Sequence, residues 1–268
     1  MKLALFQFAP RFGDAAANVE RMAAAVRTHD ADLWIMPELA TTGYLFADRS
    51  ECSGLAEPAT GPSLAAFAAL CRERSTRIVV GFAERAGQRL YNAAAYVTAA
   101  GVASVYRKVH LFDRERDCFD PGPDPFRAEP LGPHRLGLMI CFDWLFPESA
   151  RSLALLGADL IAHPANLVLP FCQAAMVTRA LENGVFCATA NRVGCERRAG
   201  VELTFTGGSQ VVDPRGRVLA QADAESETVV LAEVDLAAAR DKSITSRNDR
   251  LADLRPECYV RALEGWPR

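Results

Sequence analysis

Arg135-Leu-Gly-Leu-Met-Ile-Cys141-Phe-Asp-Trp-Leu-Phe-Pro147-Glu148 is the stretch from which the fold can be read. It begins as an apolar run of the kind that makes a strand buried on both faces. Pro147 then suits the first turn of a helix, where its missing N–H would lack an intrahelical acceptor anyway. Helical spacing follows through Ser149, Ser152, Leu153 and Leu156 to Gly157, a natural stop. The stretch therefore predicts strand, sharp turn and helix, with Cys141 where the strand ends. A turn there projects the thiol from the sheet edge beneath the positive end of a helix, a field that favours thiolate. A free cysteine is also among the most buried residue types, so a core cysteine stands as the alternative on this stretch alone.

Outward from it, the same alternation recurs. Residues 2–9, 32–36, 77–82, 158–164 and 185–191 read as buried strands. Asp14 or Asn18 can cap a helix running to Arg27, Gly61-Pro62-Ser63 opens another to Arg74, and Phe171 to Asn183 is a third. Residues 91–98 and 102–106 form a hairpin turning at Ala100-Gly101, and 207–216 and 228–235 read as further hairpins. Asp235 to Arg240 reads as a short helix before an irregular tail. Residues 40–46 and the polar stretch 113–125 are loops, the second with the look of a loop that lines a site. Such a mixture predicts an α/β fold, a four-layer α-β-β-α sandwich with two mixed sheets inside. No repeat, low-complexity tract or linker divides it, which predicts one domain, 1–268.

Composition narrows the partners. Half of the 268 residues are hydrophobic, 24% are charged, and the formal net charge is −3. Nothing there calls for nucleic acid or an anionic membrane surface, and no apolar run is long enough to span a bilayer. Met1 to Pro10 reads as a first strand and not as a secretion signal. The eight cysteines include no CxxC pair, and no spaced histidine pair accompanies them, so a zinc site has no support. Reduced thiols and a cytoplasmic location are expected.

The chemistry gathers at strand ends. Glu38 follows the strand 32–36, Lys108 follows the second arm of the 91–106 hairpin, and Cys141 follows the strand of the opening stretch. A carboxylate, an ammonium and a thiol make a complete set for acyl transfer. The carboxylate takes the thiol proton, the thiolate attacks a carbonyl or nitrile carbon, and the ammonium stabilises the negative charge that develops. Taken singly, Glu38 could be a capping carboxylate and Lys108 a solvated charge beside Arg107.

Three blocks carry a family resemblance: Pro37-Glu38-Leu39, Tyr106-Arg107-Lys108-Val-His110-Leu111, and Gly137 to Glu148. They resemble the signature blocks of the nitrilase, or carbon–nitrogen hydrolase, superfamily. His163-Pro164-Ala-Asn166-Leu, Arg179-Ala-Leu-Glu182-Asn183, Ala190-Asn191-Arg192 and the segment Asn248 to Tyr259 are similar to further family segments. The resemblance implies an α-β-β-α sandwich and a Glu–Lys–Cys triad. Glu38 is then the general base, Lys108 the electrostatic stabiliser and Cys141 the nucleophile. It further implies that the Phe142 N–H shares the oxyanion and that Glu115 orients the lysine and touches substrate. No metal or other cofactor is expected, and a homodimer or larger homo-oligomer built through outer-layer helices is. Tyr44, Trp144 and Asn166 are expected pocket walls, with core or subunit-contact roles as the alternative for the two aromatics.

The block around Cys141 also bears on substrate. True nitrilases resemble one another in a Cys followed by Trp-Glu, whereas this chain has Phe142-Asp143 and is shorter than most of them. Both departures point to a small linear amide. A similar block in some compact nitrilase-like proteins leaves nitriles open, carbamoyl amides use the same triad, and a catalytically silent binding protein of the same fold is the non-enzymatic alternative. Other motifs are weaker. Cys71 to Arg77 has the bare spacing of a cysteine phosphatase but no glycines to cradle phosphate. His163, before Pro164, reads as a satisfied structural histidine.

Overall fold

A computed structural model describes residues 1–259; the expected domain, 1–268, runs on past them, and 260–268 lie outside the described residues. The strands in chain order are β1 (Lys2–Gln7), β2 (Leu33–Ile35), β3 (Arg77–Ala86), β4 (Arg89–Thr98), β5 (Gly101–Arg107), β6 (Ala128–Leu131), β7 (His134–Leu138), β8 (Leu160–Pro164) and β9 (Phe186–Ala190). After these come β10 (Cys195–Arg198), β11 (Val201–Thr204), β12 (Gln210–Val212), β13 (Val218–Gln221), β14 (Thr228–Glu233), β15 (Ser243–Thr245) and β16 (Asn248–Asp249). The helices are α1 (Ala15–Thr28), α2 (Arg49–Leu55), α3 (Pro62–Arg74), α4 (Glu115–Cys118), α5 (Pro147–Leu155) and α6 (Cys172–Asn183).

Two six-stranded mixed sheets result, in the orders β14-β1-β2-β3-β4-β5 and β13-β12-β9-β8-β7-β6. Strand residues alternate between two buried layers, which is why the runs read as almost continuously apolar. Leu3, Leu5, Leu33, Ile35 and Val79 enter the core between the sheets. Their neighbours Ala4, Trp34, Ile78 and Val80 pack outward with Met22 and Val26 of α1 and Leu64 and Phe67 of α3. On the far side α5 and α6 cover the second sheet through Leu153, Met176 and Ala180. The expected four layers are thus present.

Asp14 caps α1, accepting from the Ala17 N–H at 3.0 Å. Asn18 does not; it is buried inside the helix and holds the Arg11 and Thr41 backbone instead. β3 runs on to Ala86, past the expected end at residue 82, and turns at Gly87 into a hairpin with β4 that the sequence did not predict. Several elements escaped the sequence reading, among them α2, α4, β6 and the β10–β11 hairpin. α2 is a single short helix that buries only Cys52 and so shows no apolar repeat. The β10–β11 hairpin is largely solvated and turns at Ala199-Gly200, both at positive φ.

β1, β2 and β3 are parallel, and two antiparallel steps bring β5 back to the same direction. In the second sheet β7, β8 and β9 are likewise parallel. Residues that follow β2, β5, β7 and β8 therefore emerge at carboxyl ends of strands, where α/β sheets place their ligand sites.

Candidate active site

Glu38 lies just beyond β2 on a segment pressed against β3. A Cβ on Gly81 would stand 2.5 Å from the Cα of Glu38, the N of Leu39 and the O of Pro37, so only glycine lets the Glu38 backbone pass. Leu39 takes up the turn at φ 47°, a left-handed conformation that is costly for a leucine. The Glu38 side chain is fully buried. Its Oε1 accepts from Asn92 Nδ2 at 2.7 Å and from Lys108 Nζ at 2.7 Å. Its Oε2 has no hydrogen-bond partner among the described residues.

Lys108 follows β5. Its predecessor Arg107 turns the other way, forking onto Glu84 at 2.7 and 2.9 Å, and strand alternation sends Lys108 inward. There the ammonium meets Glu38 and both Glu115 oxygens, at 2.7 and 2.8 Å. The 113–125 loop folds back so that the Gly122 N–H reaches the Lys108 carbonyl at 2.8 Å. Within that loop the single turn α4 presents Glu115, which also accepts from the Tyr44 hydroxyl at 2.7 Å and the Phe112 N–H at 3.2 Å. Burial acts to lower the Lys108 pKa, but Glu115 and Glu38 overcome it and leave it raised, so the ammonium stays charged. Burial pushes Glu115 up to about 7 against the pull of Lys108.

Cys141 corrects one expectation. β7 stops at Leu138, Cys141 opens a 3-10 turn through Leu145, and α5 begins only at Pro147. The thiol therefore opens a short 3-10 turn and does not lead directly into α5. Burial first, and then Glu38, push its pKa well above that of a free cysteine, with Lys108 pulling the other way. The resting group is a thiol, and a base must remove its proton. Cys141 is held at φ 40° and is 5% exposed. Its carbonyl oxygen accepts from His163 Nε2 at 2.9 Å, while the Phe142 N–H meets no acceptor among the described residues.

Asp143 ties this turn to the Lys108 loop. Its Oδ2 accepts from the Ile140 N–H at 2.8 Å and the Tyr106 hydroxyl at 2.7 Å. Its Oδ1 accepts from the His110 N–H at 3.2 Å and contacts His110 Nδ1 at 2.7 Å.

The other expected residues are distributed around this centre. Asn166 donates from Nδ2 to the Glu38 carbonyl at 2.9 Å, and with Cys141, Phe142 and Trp144 it lines a narrow cleft closed by Phe112, Leu167 and Leu169. No charged side chain lines that cleft among the described residues. Tyr44 lies in an adjoining cleft with Glu115. It is held there from the β10–β11 hairpin, where Glu196 accepts from the Tyr44 and Leu45 N–H groups and pairs with the buried Arg192. Larger surface grooves, around Arg107 and Arg127 and around Asp213 and Arg250, are lined by carboxylates and arginines but by no thiol.

Asn92 and Asp143 were not read from the sequence, and His163 is the satisfied structural histidine expected, with both ring nitrogens engaged. An Asn inside the apolar strand 91–98 was the available signal, since a buried amide needs partners. Asp143 and His163 act on backbone, which residue type alone does not reveal. Of the remaining cysteines, Cys71 is buried at the end of α3, and burial pushes its thiol up to about 12, as suits an inert core group.

The family model described as carbon–nitrogen hydrolase matches residues 2–242. A nitrilase of Pyrococcus abyssi is 43% identical over 265 residues, covering 97% of this chain and 100% of that one. An (R)-stereoselective amidase of a Pseudomonas species is 39% identical over 242 residues, covering 88% and 85%. A solved variant of the amidase from Nesterenkonia sp. AN1 shows covalent addition of the acetamide moiety of fluoroacetamide at the active-site cysteine. It shares 27% identity and a TM-score of 0.82, covering 98% of this chain and 97% of that one.

Proposed function

The chain belongs to the carbon–nitrogen hydrolase family, and from that premise we propose that Cys141, Glu38 and Lys108 are its catalytic triad and small uncharged linear amides its substrates. The enzyme is a hydrolase, and the carrying observation for the roles within it is the buried constellation itself. Glu38 offers one committed and one free oxygen, a single charged ammonium stands beside it, and a protonated thiol shares the site.

In the proposed cycle Glu38 Oε2 takes the Cys141 proton as the sulfur attacks the amide carbon. Lys108 Nζ and the Phe142 N–H hold the resulting oxyanion. Glu38 returns the proton to the leaving nitrogen, ammonia departs, and a thioester remains. Water, deprotonated by Glu38, then releases the acid and restores the thiol. Glu115, with Tyr44 behind it, keeps the ammonium aimed. The uncharged cleft formed by Phe112, Phe142, Trp144, Asn166 and Leu167 favours a compact acyl group without charge over a dicarboxylate monoamide or a carbamoyl polyamine.

Ammonia release from small aliphatic amides, dicarboxylate monoamides, carbamoyl amines and short nitriles tests this, with Cys141→Ala as control. Release from neutral amides, lost in Cys141→Ala and accompanied by an acyl adduct in intact mass, is the expected result. Unchanged release by Cys141→Ala would overturn the triad. Faster release from nitriles would favour the second reading, nitrile hydrolysis, which the identity to the Pyrococcus nitrilase supports. Absence of both release and adduct would favour a binding protein of this fold.

We further propose a homodimer or larger homo-oligomer through the outer face of α5 and α6 and the residues leading into them, where Leu145, Leu155, Phe171 and Leu181 are exposed. A monomeric mass by light scattering would refute it. The cytosol is the compartment that eight free thiols suit. No described helix is long and apolar enough to cross a membrane.

A further inference from the structure

His163 and Thr189 take no part in the cycle above, yet both are fully buried behind the nucleophile. They are direct register partners on the parallel pair β8–β9. His163 Nε2 stands 2.9 Å from the Cys141 carbonyl oxygen, and Nδ1 stands 3.0 Å from Thr189 Oγ. A carbonyl can only accept, so Nε2 must carry a proton. Burial pushes the imidazole down to about 4, so near neutral pH the ring holds one proton and Nδ1 is an acceptor. The Thr189 hydroxyl is then the donor to Nδ1, and it fixes the tautomer that Cys141 requires.

The carbonyl so gripped belongs to the peptide between Cys141 and Phe142. No peptide among the described residues is cis, and in a planar trans peptide the N–H points opposite to the C=O. Holding the oxygen from inside the sheet therefore turns the Phe142 N–H outward, toward the cleft that Cys141 and Phe142 line. Cys141 sits at φ 40°, and a residue in that region stays there only when its surroundings over-determine it. The His163 contact is one such constraint, applied to the peptide that has to stay still.

We infer that His163, locked in one tautomer by Thr189, is a positioning residue that aims the Phe142 N–H at the oxyanion. The inference rests on the roles given to Cys141 and Phe142 under the proposed function. It predicts a selective defect. Amide hydrolysis passes through an oxyanion and needs the N–H. Alkylation by iodoacetamide does not: Glu38 takes the thiol proton, sulfur bonds to the methylene carbon, and iodide leaves with the electron pair.

The test measures amide hydrolysis and Cys141 alkylation in parallel on the full chain. His163→Leu should lower kcat about 10²-fold, the lower end of what loss of one oxyanion donor costs, with KM and the alkylation rate within about threefold. His163→Gln, whose Nε2 reaches nearly as far as that of histidine, should recover at least about tenfold of that loss. Thr189→Val keeps the shape but frees the tautomer, and should give the same selective pattern more weakly. Hydrolysis within threefold of wild type in His163→Leu would overturn the inference, as would hydrolysis and alkylation falling in proportion. Should His163→Leu fail to fold, Thr189→Val decides, and normal hydrolysis there overturns it. A wild-type protein whose Cys141 forms no acyl adduct would instead sink the underlying assignment of the nucleophile.

Discussion

The two sheets contribute different things to one site. The first sheet supplies charge. Glu38 and Lys108 leave its strand ends, Glu115 follows on α4, and the one ammonium meets the two carboxyl groups at 2.7–2.8 Å. The second sheet supplies backbone held in place. It places Cys141 at φ 40° with its carbonyl on His163, and it sets the Ile140 N–H on Asp143. Charge is tuned by burial and neighbours, whereas conformation is held by hydrogen bonds to main-chain atoms. A site divided in this way can lose either half separately, and the losses should look different.

The largest effect is expected from the charged half. Glu38→Gln keeps the shape and the acceptor for Lys108 but removes the base. With the thiol pKa raised by burial and by Glu38 itself, losing the carboxylate removes both a proton acceptor and part of what holds the thiol protonated. The base should dominate, so hydrolysis falls by about 10²–10⁴-fold. Alkylation of Cys141 should fall as well, because both reactions begin from the thiolate. A Glu38→Gln protein that alkylates at the wild-type rate would mean that the thiol ionises without Glu38, and the division between the halves would have to be redrawn.

Asp143 is where the halves join, and its replacement should cost less. The carboxylate accepts from the Ile140 N–H, the Tyr106 hydroxyl and the His110 N–H and touches the His110 ring. In Asp143→Asn the new NH₂ must face either the Ile140 N–H or the His110 N–H, and neither can accept. About 1–3 kcal/mol of stability should go with that mismatch. Hydrolysis and alkylation should decline together, since Cys141 and the Lys108 loop both shift. Chemical denaturation with the two rate assays checks this. A stability loss with both rates intact would make Asp143 a strut of the fold and not a link between the halves.

The same division explains what could be read from the sequence. Strands buried on both faces leave continuous apolar runs, so the layers were legible, and so were the ionisable residues that interrupt the chain just after those runs. Glu38, Lys108 and Cys141 are conspicuous because a carboxylate, an ammonium and a thiol at strand ends need a reason. Conformation is not written in residue type. The expected thiolate under a helix end failed because a 3-10 turn separates Cys141 from α5. His163 looked like any satisfied core histidine because its partner is a carbonyl oxygen. Gly81 gave no sign that the Glu38 backbone lies 2.5 Å from its missing side chain. Tyr44 was read as a wall of the pocket, but the hairpin that pins it through Glu196 lies about 150 residues further on and is mostly solvated.

The smallest expected effect is on stability, and it separates the cost of the charged half from its use. Burial, opposed by Lys108, raises Glu115 from 4.5 to about 7. Between those values the folded protein binds a proton at Glu115 that the unfolded chain has already lost. The unfolding free energy therefore falls as pH rises through that window, by this group's contribution, and levels off above about 7. Glu115→Gln cannot titrate and should abolish that slope, leaving a flatter profile between pH 4.5 and 7 in urea denaturation. It should also lower hydrolysis, because the ammonium loses two of its three carboxylate contacts. An unchanged slope would mean that Glu115 stays ionised throughout, held so by Lys108, Tyr44 and the Phe112 N–H. The charged half would then cost the fold nothing near neutral pH, and the strain of assembling the site would lie in the backbone half alone.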